Sequence, residues 1–454
     1  MNHPTIVSRL RRDASFTGER VRTATAALDL ANLSPGQSAA VKLLADGDHD
    51  ESALAAAVTA ADGEAGLLRW HLLARRLNLS GMLEHAVRAD GAVAVRLYPV
   101  GRGPILPAPV PSGPVRLSRF AEARAADGVL TLRAPGNHLA VELLPQAAGL
   151  LGELADWGTA TPAPVLRLLA TAGLLAPGGP DRDLEASERS YAQWHPADLA
   201  FHARTRTPAA APGYGGTHPT GDRFPPEPVS PPPSGATVVE LPVPDLDAIA
   251  AADPPLTEVI ERRRSVRAHD TGAPITLAQL GELLYRSLRR RATMTGGDGQ
   301  ELADRPYPSG GAVHELEVYP LVTACEGLPA GLWHYATDRH ELELVAEPGK
   351  ATERLVAEAR SAAMLAADPQ VVLLVTARFG RVMWKYETVA YPLVLKHVGV
   401  LYQTLYLVAT AMGLALCGLG GGDAAAFAAA SGRDPLVEGT VGELVLGSRP
   451  RTDG

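Results

Sequence analysis

Three polar side chains alternate along one short stretch of the sequence, at Arg263, Ser265 and Arg267. On an extended segment this spacing places all three on one face of the chain. Guanidinium groups and a hydroxyl are donors that suit a phosphate dianion, so the stretch is a candidate anion site. A run of arginines is by itself usually a solvated surface, and this pattern therefore needs support from elsewhere in the chain.

Two glycine-rich stretches could bring the backbone close to a ligand. Glycine lets a chain approach a flat molecule, and glycine-rich turns can present backbone N–H groups to an anion. Their candidate contact residues are Pro308, Ser309, Gly310 and Gly311 in the first stretch, and Gly420 and Gly421 in the second. Either stretch alone indicates only a loop.

A lysine next to a tyrosine follows an apolar strand predicted at 371–376. A cation beside a phenol lowers the pKa of the phenol, which is ordinarily about 10. Lys385 could in this way make Tyr386 usable as an acid or base. The same pair of residues also occurs by chance on protein surfaces, so this motif is also weak when it is taken alone.

These four stretches lie in the last part of the chain, where helical and strand patterns alternate. Apolar spacing predicts helices at 256–262, 277–288 and 351–363, and strands at 317–323, 371–376 and 441–446. Such alternation belongs to the α/β or α+β class. We therefore expect residues 245–454 to form the main domain.

The first part of the chain predicts two smaller units, at 1–105 and 106–178. The first has helical spacing at 37–44, 51–61 and 66–77, followed by a hairpin around Asp90-Gly91. The second has a hairpin around Asp127-Gly128 and further helices. Three helices with a two-stranded wing suggest winged-helix-like units. Such units bind DNA in some proteins, and here they could instead clamp an extended peptide at a strand edge.

Residues 179–244 are predicted to be a connector. Nine prolines fall within 207–235, and a stretch of this composition is stiff, extended and unable to build a core. The preceding segment, 194–206, is rich in aromatic and basic residues. We expect it to dock on a domain surface.

Composition excludes several classes of protein. Of 454 residues, 46% are hydrophobic, and the formal net charge of −8 argues against nucleic acid as the main partner. The two cysteines, Cys325 and Cys417, lie far apart, so neither a disulfide scaffold nor a metal site is expected. The uncharged run 398–417 reads as a buried core helix and not as a membrane span. No signal peptide is evident, and the expected location is the cytoplasm.

In their order and spacing, the four stretches together resemble one family. They look like the flavin-dependent dehydrogenases of thiazole- and oxazole-modified peptide pathways, the SagB or ThcOx type, within the nitroreductase superfamily. The resemblance spans about 194–450 and is strongest at 258–267, 305–319, 384–422 and 441–447. The run 396–414 is similar to the central dimer helix of that family.

The resemblance implies an α+β fold, with a mixed sheet flanked by helices that binds FMN at 245–454. Arg263, Ser265 and Arg267 would hold the phosphate and ribityl chain, and Arg449 could reach the phosphate. The isoalloxazine would lie against the stretch from Pro308 to Gly311, with Gly420 and Gly421 on the other side. Lys385 and Tyr386 match the pair associated with catalysis.

The implied reaction oxidises thiazoline or oxazoline rings to azoles on a ribosomally made precursor peptide. FMN would take a hydride while Tyr386, poised by Lys385, removes a proton, and dioxygen would reoxidise the flavin. Lys385 could instead stabilise charge in the transition state. The family binds FMN at a homodimer interface, so a homodimer is expected. The N-terminal units would bind the precursor peptide or a cyclodehydratase partner.

One departure and several alternatives stay open. Many relatives carry Arg-Tyr-Arg after the Lys-Tyr pair, where this chain has Ala390-Tyr391-Pro392. Contacts made by those arginines cannot be assumed here. The alternatives are an NAD(P)H-dependent nitroreductase or quinone reductase acting on small molecules, a non-catalytic peptide-binding scaffold, and a winged-helix regulator with a redox-sensing domain.

Overall fold

Buried apolar side chains collect in separate cores in the two halves of the chain. The computed structural model describes residues 4–24, 26–101, 103–206, 215–235 and 237–450. Two compact units divide the chain, Met1–Pro212 and Gly213–Gly454. The second unit thus begins about thirty residues before the predicted domain start at 245, because much of the predicted connector packs with it.

The N-terminal unit combines short strands and helices. Its strands are β1 Thr5–Leu10, β2 Ser15–Phe16, β3 Arg20–Arg22, β4 Ala27–Asp29, β5 His49–Asp50, β6 Leu83–Ala89, β7 Ala92–Pro99, β8 Glu122–Ala126, β9 Val129–Arg133, β10 Leu139–Leu143, β11 Gly178–Gly179 and β12 Arg182–Asp183. Its helices are α1 Pro35–Asp46, α2 Glu51–Asp62, α3 Gly66–Leu79, α4 Leu150–Glu153, α5 Ala163–Thr171, α6 Leu184–Ser187, α7 Arg189–Ala192 and α8 Pro196–Arg206.

The two predicted hairpins of this unit are confirmed. Asp90 and Gly91 both have positive φ, and so do Asp127 and Gly128. Two such residues in succession form the turn that suits the twist of a hairpin. The three helices predicted in 37–77 are also present, as α1, α2 and α3.

The prediction of two separate winged-helix-like units is not confirmed, since one sheet spans both segments. Its strand order is β5-β1-β6-β7-β10-β9-β8. The join is made by β7 and β10, which pair antiparallel with Val141 opposite Leu97. An unpaired apolar strand edge is unfavourable because its N–H and C=O groups lack partners. Here β10 of the second segment pairs with β7, the edge strand of the first hairpin.

The predicted connector falls in both compact units. Its aromatic and basic segment forms α8, in which Ala203 and Thr205 are buried. Of the proline-rich stretch, residues 207–214 and Ala236 lie outside the described residues. Residues 215–235 belong to the C-terminal unit.

The C-terminal unit is built around a second large sheet. Its strands are β13 Val238–Glu240, β14 Ala292–Thr295, β15 Glu301–Asp304, β16 Leu316–Val322, β17 Gly331–Ala336, β18 Glu341–Ala346, β19 Val371–Arg378, β20 Leu414–Gly418 and β21 Glu438–Ser448. Its helices are α9 Leu246–Ala252, α10 Leu256–Arg262, α11 Leu277–Leu288, α12 Lys350–Ala363, α13 Phe379–Met383, α14 Ala390–Ala411 and α15 Ala424–Ser431.

This sheet has the order β13-β18-β17-β16-β19-β21-β20, and helices cover both of its faces. Strand β19 is buried along its whole length. Leu373 and Val375 point into the core beside α11 and α14, whereas Val372 and Leu374 point into the core beside α12 and α15. The α+β class is therefore confirmed.

The prediction of a mixed sheet is wrong for the described strands, whose neighbouring pairs in this sheet are all antiparallel. Strands β16, β17 and β18 follow one another through short connections. The helix α12 then leads to β19, which runs antiparallel beside β16. A helix between two strands can connect parallel neighbours, but here α12 connects strands of a sheet whose neighbouring strands are antiparallel.

Helix α14 differs from the buried helix predicted at 398–417. It begins at Ala390 and ends at Ala411, where Gly413 with φ +70° turns the chain into β20. Its length and mean hydropathy of 1.3 would suffice to cross a membrane, and 39% of the relevant window is buried inside the unit. One face packs in the core, while Tyr391 and Leu395 are exposed.

A charged triad lies buried across three strands of this sheet. The imidazole of His334 contacts Glu317 through Nε2 and Glu343 through Nδ1, each at 3.3 Å. Burial alone would lower the pKa of His334, but hydrogen bonds to the two carboxylates outweigh it and raise this pKa. The hydrogen bond from His334 in turn lowers the pKa of Glu343 to about 2. The triad thus favours a protonated histidine.

We expect this triad to make the stability of the C-terminal unit depend on pH. Because the folded-state pKa of His334 is raised, its contribution is full below its unfolded pKa near 6.5 and is lost as pH rises through the folded value. His334→Leu should lower the free energy of unfolding by roughly 1–3 kcal/mol at low pH, because Glu317 and Glu343 lose their hydrogen bonds from His334 while Arg378 and Arg339 stay beside them. Urea unfolding between acidic and alkaline pH measures both effects.

The control is His71→Leu, which replaces an exposed histidine of α3. It should leave the pH dependence of the C-terminal transition unchanged. An equal loss of stability in His334→Leu at all pH values would contradict a charged triad and indicate only lost packing.

Candidate active site

The predicted anion-binding stretch lies along the free edge of the sheet. Helix α10 ends at Arg262, and the following residues run beside β20, where the Val266 N–H donates to the Leu416 carbonyl at 2.9 Å. Strand β20 is the last strand of the sheet order. The extended conformation that the alternation of Arg263, Ser265 and Arg267 required is therefore present.

Two of these three side chains meet at Tyr406 of α14. Ser265 Oγ shares a 2.9 Å hydrogen bond with the Tyr406 hydroxyl, and the Arg263 guanidinium lies 5.5 Å from the centre of that ring. The same hydroxyl accepts a 2.7 Å hydrogen bond from the Gly418 N–H, at the start of the second glycine-rich stretch. Tyr406 was not predicted, because nothing in the sequence distinguishes it from the other tyrosines of the helix.

Arg449 reaches the same edge from the end of β21. Its Nε donates to the Leu414 carbonyl at 3.0 Å, two residues from the carbonyl that binds Val266. Burial and, to a smaller extent, the nearby Arg262 cation lower the pKa of Arg449. Arg267 is exposed on the same segment. We call this group, Arg263, Ser265, Arg267 and Arg449, the basic corner.

The first glycine-rich stretch forms a constrained loop. Gly311, Ala312 and His314 all have φ between +48° and +63°, a region that non-glycine residues rarely adopt. Within the loop, the His314 N–H donates to Ser309 Oγ at 3.0 Å. Such backbone strain is kept only where the surrounding structure enforces it, and it concentrates at functional sites.

A buried histidine and glutamate hold this loop in place. The Gly310 N–H donates to His397 Nε2 at 2.7 Å, so that Nε2 carries no proton. The proton therefore lies on Nδ1, which donates to Glu315 Oε1 at 2.7 Å. Both side chains are almost fully buried. The His397–Glu315 pair therefore fixes the direction of the Gly310 N–H, in the loop that we predicted to contact a flat ligand.

The predicted Lys-Tyr pair lies against the same loop. It follows α13, and a Cβ atom added at Gly311 would be only 2.5 Å from the Tyr386 hydroxyl. The absence of a side chain at Gly311 thus lets the phenol approach the loop backbone. The structure therefore brings the predicted residues Gly310, Gly311 and Tyr386 together.

Lys385 is paired with an aspartate that the sequence did not reveal. Its Nζ lies 2.9 Å from Asp298 Oδ2, and His218 Nε2 lies 3.2 Å from the same oxygen. The hydrogen bond from Lys385 and then that from His218 hold the pKa of Asp298 well below its usual value. Asp298 lies in a glycine-rich turn between β14 and β15, a pattern that predicts a turn but gives no partner.

The second glycine-rich stretch is open on one side. A Cβ atom at Gly420 or Gly421 would meet no atom within 4 Å, whereas one at Gly422 would overlap the Glu443 carboxylate. Burial raises the pKa of Glu443 to about 7. Through Gly418 the stretch is connected to Tyr406 and the basic corner. In the segment Ala390-Tyr391-Pro392, Ala390 is buried and the centre of the Tyr391 ring lies 6.2 Å from that of Phe379.

Among the residues that the structure describes, no group of three or more metal-binding side chains is close enough to hold a metal ion. The site therefore offers guanidinium groups, hydroxyls, backbone N–H groups, an ammonium and a phenol. These groups suit an organic anion with a flat ring.

Comparison with known proteins identifies the family of this part of the chain. The model of the nitroreductase family matches residues 260–447. A candidate nitroreductase of Methanocaldococcus jannaschii is 28% identical over 182 residues, which are 40% of this chain and 84% of that protein. Residues 260–447 thus form a nitroreductase-family domain, and the C-terminal unit is an oxidoreductase domain.

Solved structures are also similar to this chain. One is a candidate nitroreductase of Ralstonia eutropha, 23% identical, covering 50% of this chain and all of that one, with a TM-score of 0.38. Another belongs to the Escherichia coli microcin synthetase complex, solved with truncated pro-MccB17 bound. It is 23% identical and covers 42% of this chain and 70% of that one, with a TM-score of 0.36.

The buried histidine–glutamate pair gives a prediction for the loop. His397→Leu should lower the free energy of unfolding by roughly 1–3 kcal/mol, because a buried carboxylate loses its hydrogen-bond donor and the Gly310 N–H loses its acceptor. His397→Gln keeps an acceptor and a donor and should cost less. Urea unfolding measures both, with Glu315→Gln in the leucine background as the control that removes the unpaired charge. Equal stabilities for the leucine variant and the wild type would refute this role.

Proposed function

We propose that the C-terminal unit binds FMN and oxidises thiazoline or oxazoline rings to azoles on a ribosomally synthesised peptide. The observation that carries the proposal is the arrangement of two ligand-binding features on α14. The loop at Gly310 is anchored by His397 and the basic corner by Tyr406. These anchors are nine residues apart, which is about 13 Å along a helix.

The described residues fit FMN in chemical type. The basic corner offers arginines and a hydroxyl to a phosphate. The loop from Pro308 to Gly311 is the proposed contact for the flat ring, with the Tyr386 hydroxyl packed against Gly311. Gly420 and Gly421 offer an open backbone surface. FMN, when bound, would supply the two-electron acceptor that none of these side chains provides.

Oxidation of an azoline ring removes a hydride and a proton from neighbouring ring atoms. Tyr386 is the proposed base, because its phenol lies at the strained loop where the ring would be placed. Lys385 is the proposed electrostatic partner, since it precedes Tyr386 in the chain and its ammonium is held by Asp298. Dioxygen is the proposed final electron acceptor.

The N-terminal unit is the proposed binding site for the precursor peptide or for a cyclodehydratase. Its sheet ends in β8, a terminal strand whose residues are largely exposed. A peptide could extend the sheet at this edge through main-chain hydrogen bonds. This proposal rests on the open edge and on the resemblance, and the net charge of −8 disfavours nucleic acid as the alternative occupant.

The functional test is a visible absorbance spectrum of the purified chain, followed by assay on a synthetic peptide with one thiazoline. We expect a yellow protein that releases FMN and removes two hydrogens per ring in the presence of dioxygen. Tyr386→Phe should retain FMN and lower the rate by roughly 100-fold, as expected for a lost general base. Mass spectrometry of the peptide and flavin absorbance measure the two quantities separately.

Other outcomes of this test identify the alternatives. Rapid reduction of the flavin by NAD(P)H, with activity on nitro compounds or quinones and none on the thiazoline peptide, would favour a small-molecule reductase. A colourless protein that takes up no added FMN but binds the peptide would favour a scaffold.

The proposed assembly is a homodimer in which α10 and α14 meet the partner. Four apolar side chains on these helices are exposed in the single chain, from 38% to 65%: Leu256, Ile260, Tyr391 and Leu395. An apolar patch of this kind marks an association surface in many proteins. Tyr391 and Leu395 lie on α14, the helix that carries both anchors of the proposed FMN site, and Leu256 and Ile260 lie on α10.

We expect light scattering to give twice the 47.5 kDa mass of one chain. Leu395→Asp should shift the protein to the monomer, because a carboxylate cannot be buried in an apolar interface without large cost. The matched control is Leu72→Asp on α3, an exposed leucine of the N-terminal unit, which should leave the mass unchanged. A monomeric wild type would contradict the proposed assembly.

A further inference from the structure

The proline-rich segment 215–235 is bound to the C-terminal unit by buried arginines. Arg381, which is fully buried, donates to the Glu227 carbonyl at 2.6 Å, and Arg378 donates to the carbonyls of Pro228 and Val229. Prolines have no N–H, so such a segment presents mainly acceptors, and arginine presents only donors. The segment is therefore held as part of the domain.

The start of this segment pairs with the backbone of the proposed catalytic residues. Gly216 forms an antiparallel bridge with Tyr386. The His218 N–H donates to the Lys385 carbonyl at 3.2 Å, and the Glu387 N–H donates to the Gly215 carbonyl at 3.2 Å. Lys385 and Tyr386 thus have their main chain fixed by residues that the sequence assigned to a connector.

The side chain of His218 extends this pairing to the Lys385 ammonium. His218 Nε2 and Lys385 Nζ both contact Oδ2 of Asp298, at 3.2 Å and 2.9 Å. The His218 ring lies edge-on to Trp384 at 5.0 Å, and Trp384 Nε1 donates to the Phe224 carbonyl at 2.8 Å. His218 itself has φ +50°, so this geometry is held at a conformational cost.

We propose that the connector completes the active site, with His218 and Asp298 acting as positioning residues for Lys385. This inference rests on the proposed role of Lys385 and Tyr386. Asp298 holds the Lys385 ammonium, and His218 couples this ion pair to the segment that fixes the Lys385 backbone. The N-terminal unit is joined to the catalytic domain through this same segment.

The Lys385–Asp298 ion pair is better suited to position the lysine side chain than to stabilise the fold. The Lys385 and Asp298 side chains are 20% and 19% exposed, and ion pairs that water can reach contribute at most about 1 kcal/mol. A contact of this strength adds little to the fold. It can nevertheless decide where a flexible lysine side chain points, which matters for a group beside the reacting atoms.

Competitive acetylation of lysines tests the inference without any cofactor or substrate. The sequence has only four lysines, Lys42, Lys350, Lys385 and Lys396. Lys42 and Lys350 are exposed and lie outside the helices of the proposed dimer interface, so they serve as internal references. In the full chain, we expect Lys385 to react more slowly than these two. Asp298→Asn, His218→Ala and His218→Gln should raise its relative rate by roughly 2- to 5-fold, the range for a lost ion pair at a partly exposed site.

The matched control is Asp338→Asn. Asp338 is 20% exposed, pairs with Arg290 at 3.0 Å and accepts a hydrogen bond from Ser230, so it also fastens the connector. It should not change the reactivity of Lys385. An unchanged Lys385 rate in the Asp298 and His218 variants, or the same rise in Asp338→Asn, would overturn the inference.

A second arm uses the FMN-loaded chain and the synthetic thiazoline peptide. Asp298→Asn and His218→Gln should lower kcat by about 10-fold or more while KM and FMN content stay as in the wild type. An unchanged kcat would overturn positioning. A wild type that binds FMN but does not oxidise the peptide would overturn the proposed function, whereas the acetylation result would still support or overturn the placement of Lys385.

Discussion

Polar side chains of α14 that are buried or half-buried must find partners, and this constraint organises the candidate site. A buried polar group without a hydrogen bond costs several kcal/mol, so each such residue of the helix fixes a neighbouring segment. His397 fixes the loop at Gly310, Tyr402 donates to the Glu443 carbonyl, and Tyr406 binds Ser265 and Gly418. The helix therefore determines the distance between the loop and the basic corner.

The C-terminal unit depends on a second interaction, in which buried arginines donate to backbone carbonyls of the proline-rich segment. The strand β19 ends at Arg378 and α13 contains Arg381, and both side chains are buried where the 215–235 segment crosses them. Buried guanidinium groups are costly unless their donors are satisfied. The carbonyls of the proline-rich segment satisfy them without demanding donors in return. A stretch that cannot form its own core thus becomes a fixed part of a domain.

Local patterns in the sequence predicted the elements that depend on local physics. Helices α10 and α11 have the predicted bounds, and the hairpins at Asp90 and Asp127 follow from residues that tolerate positive φ. The joining of β7 to β10, in contrast, depends on which of several apolar edges meet. Neither propensity nor periodicity encodes that choice.

The candidate site divides in the same way. Arg263, Ser265, Arg267 and the glycines at 310 and 311 could be proposed because their order and spacing along the chain resemble a known family. His218 and Asp298 could not, since they contact each other across 80 residues. The start of α14 at Ala390 was missed because the charged Lys396 interrupts the apolar run. The structure places this side chain on the exposed side of the helix, so the helix continues through it.

The partners of Lys385 and Tyr386 distinguish the roles that two neighbouring residues can play. Asp298 holds the Lys385 ammonium in an ion pair, and this geometry favours the proposed role of Lys385 as a source of positive charge. Tyr386 lies against the Gly311 backbone, with its hydroxyl at the loop. The phenol stands outside the Lys385–Asp298 ion pair, which is in keeping with the proposed roles of Tyr386 as base and of Lys385 as electrostatic partner.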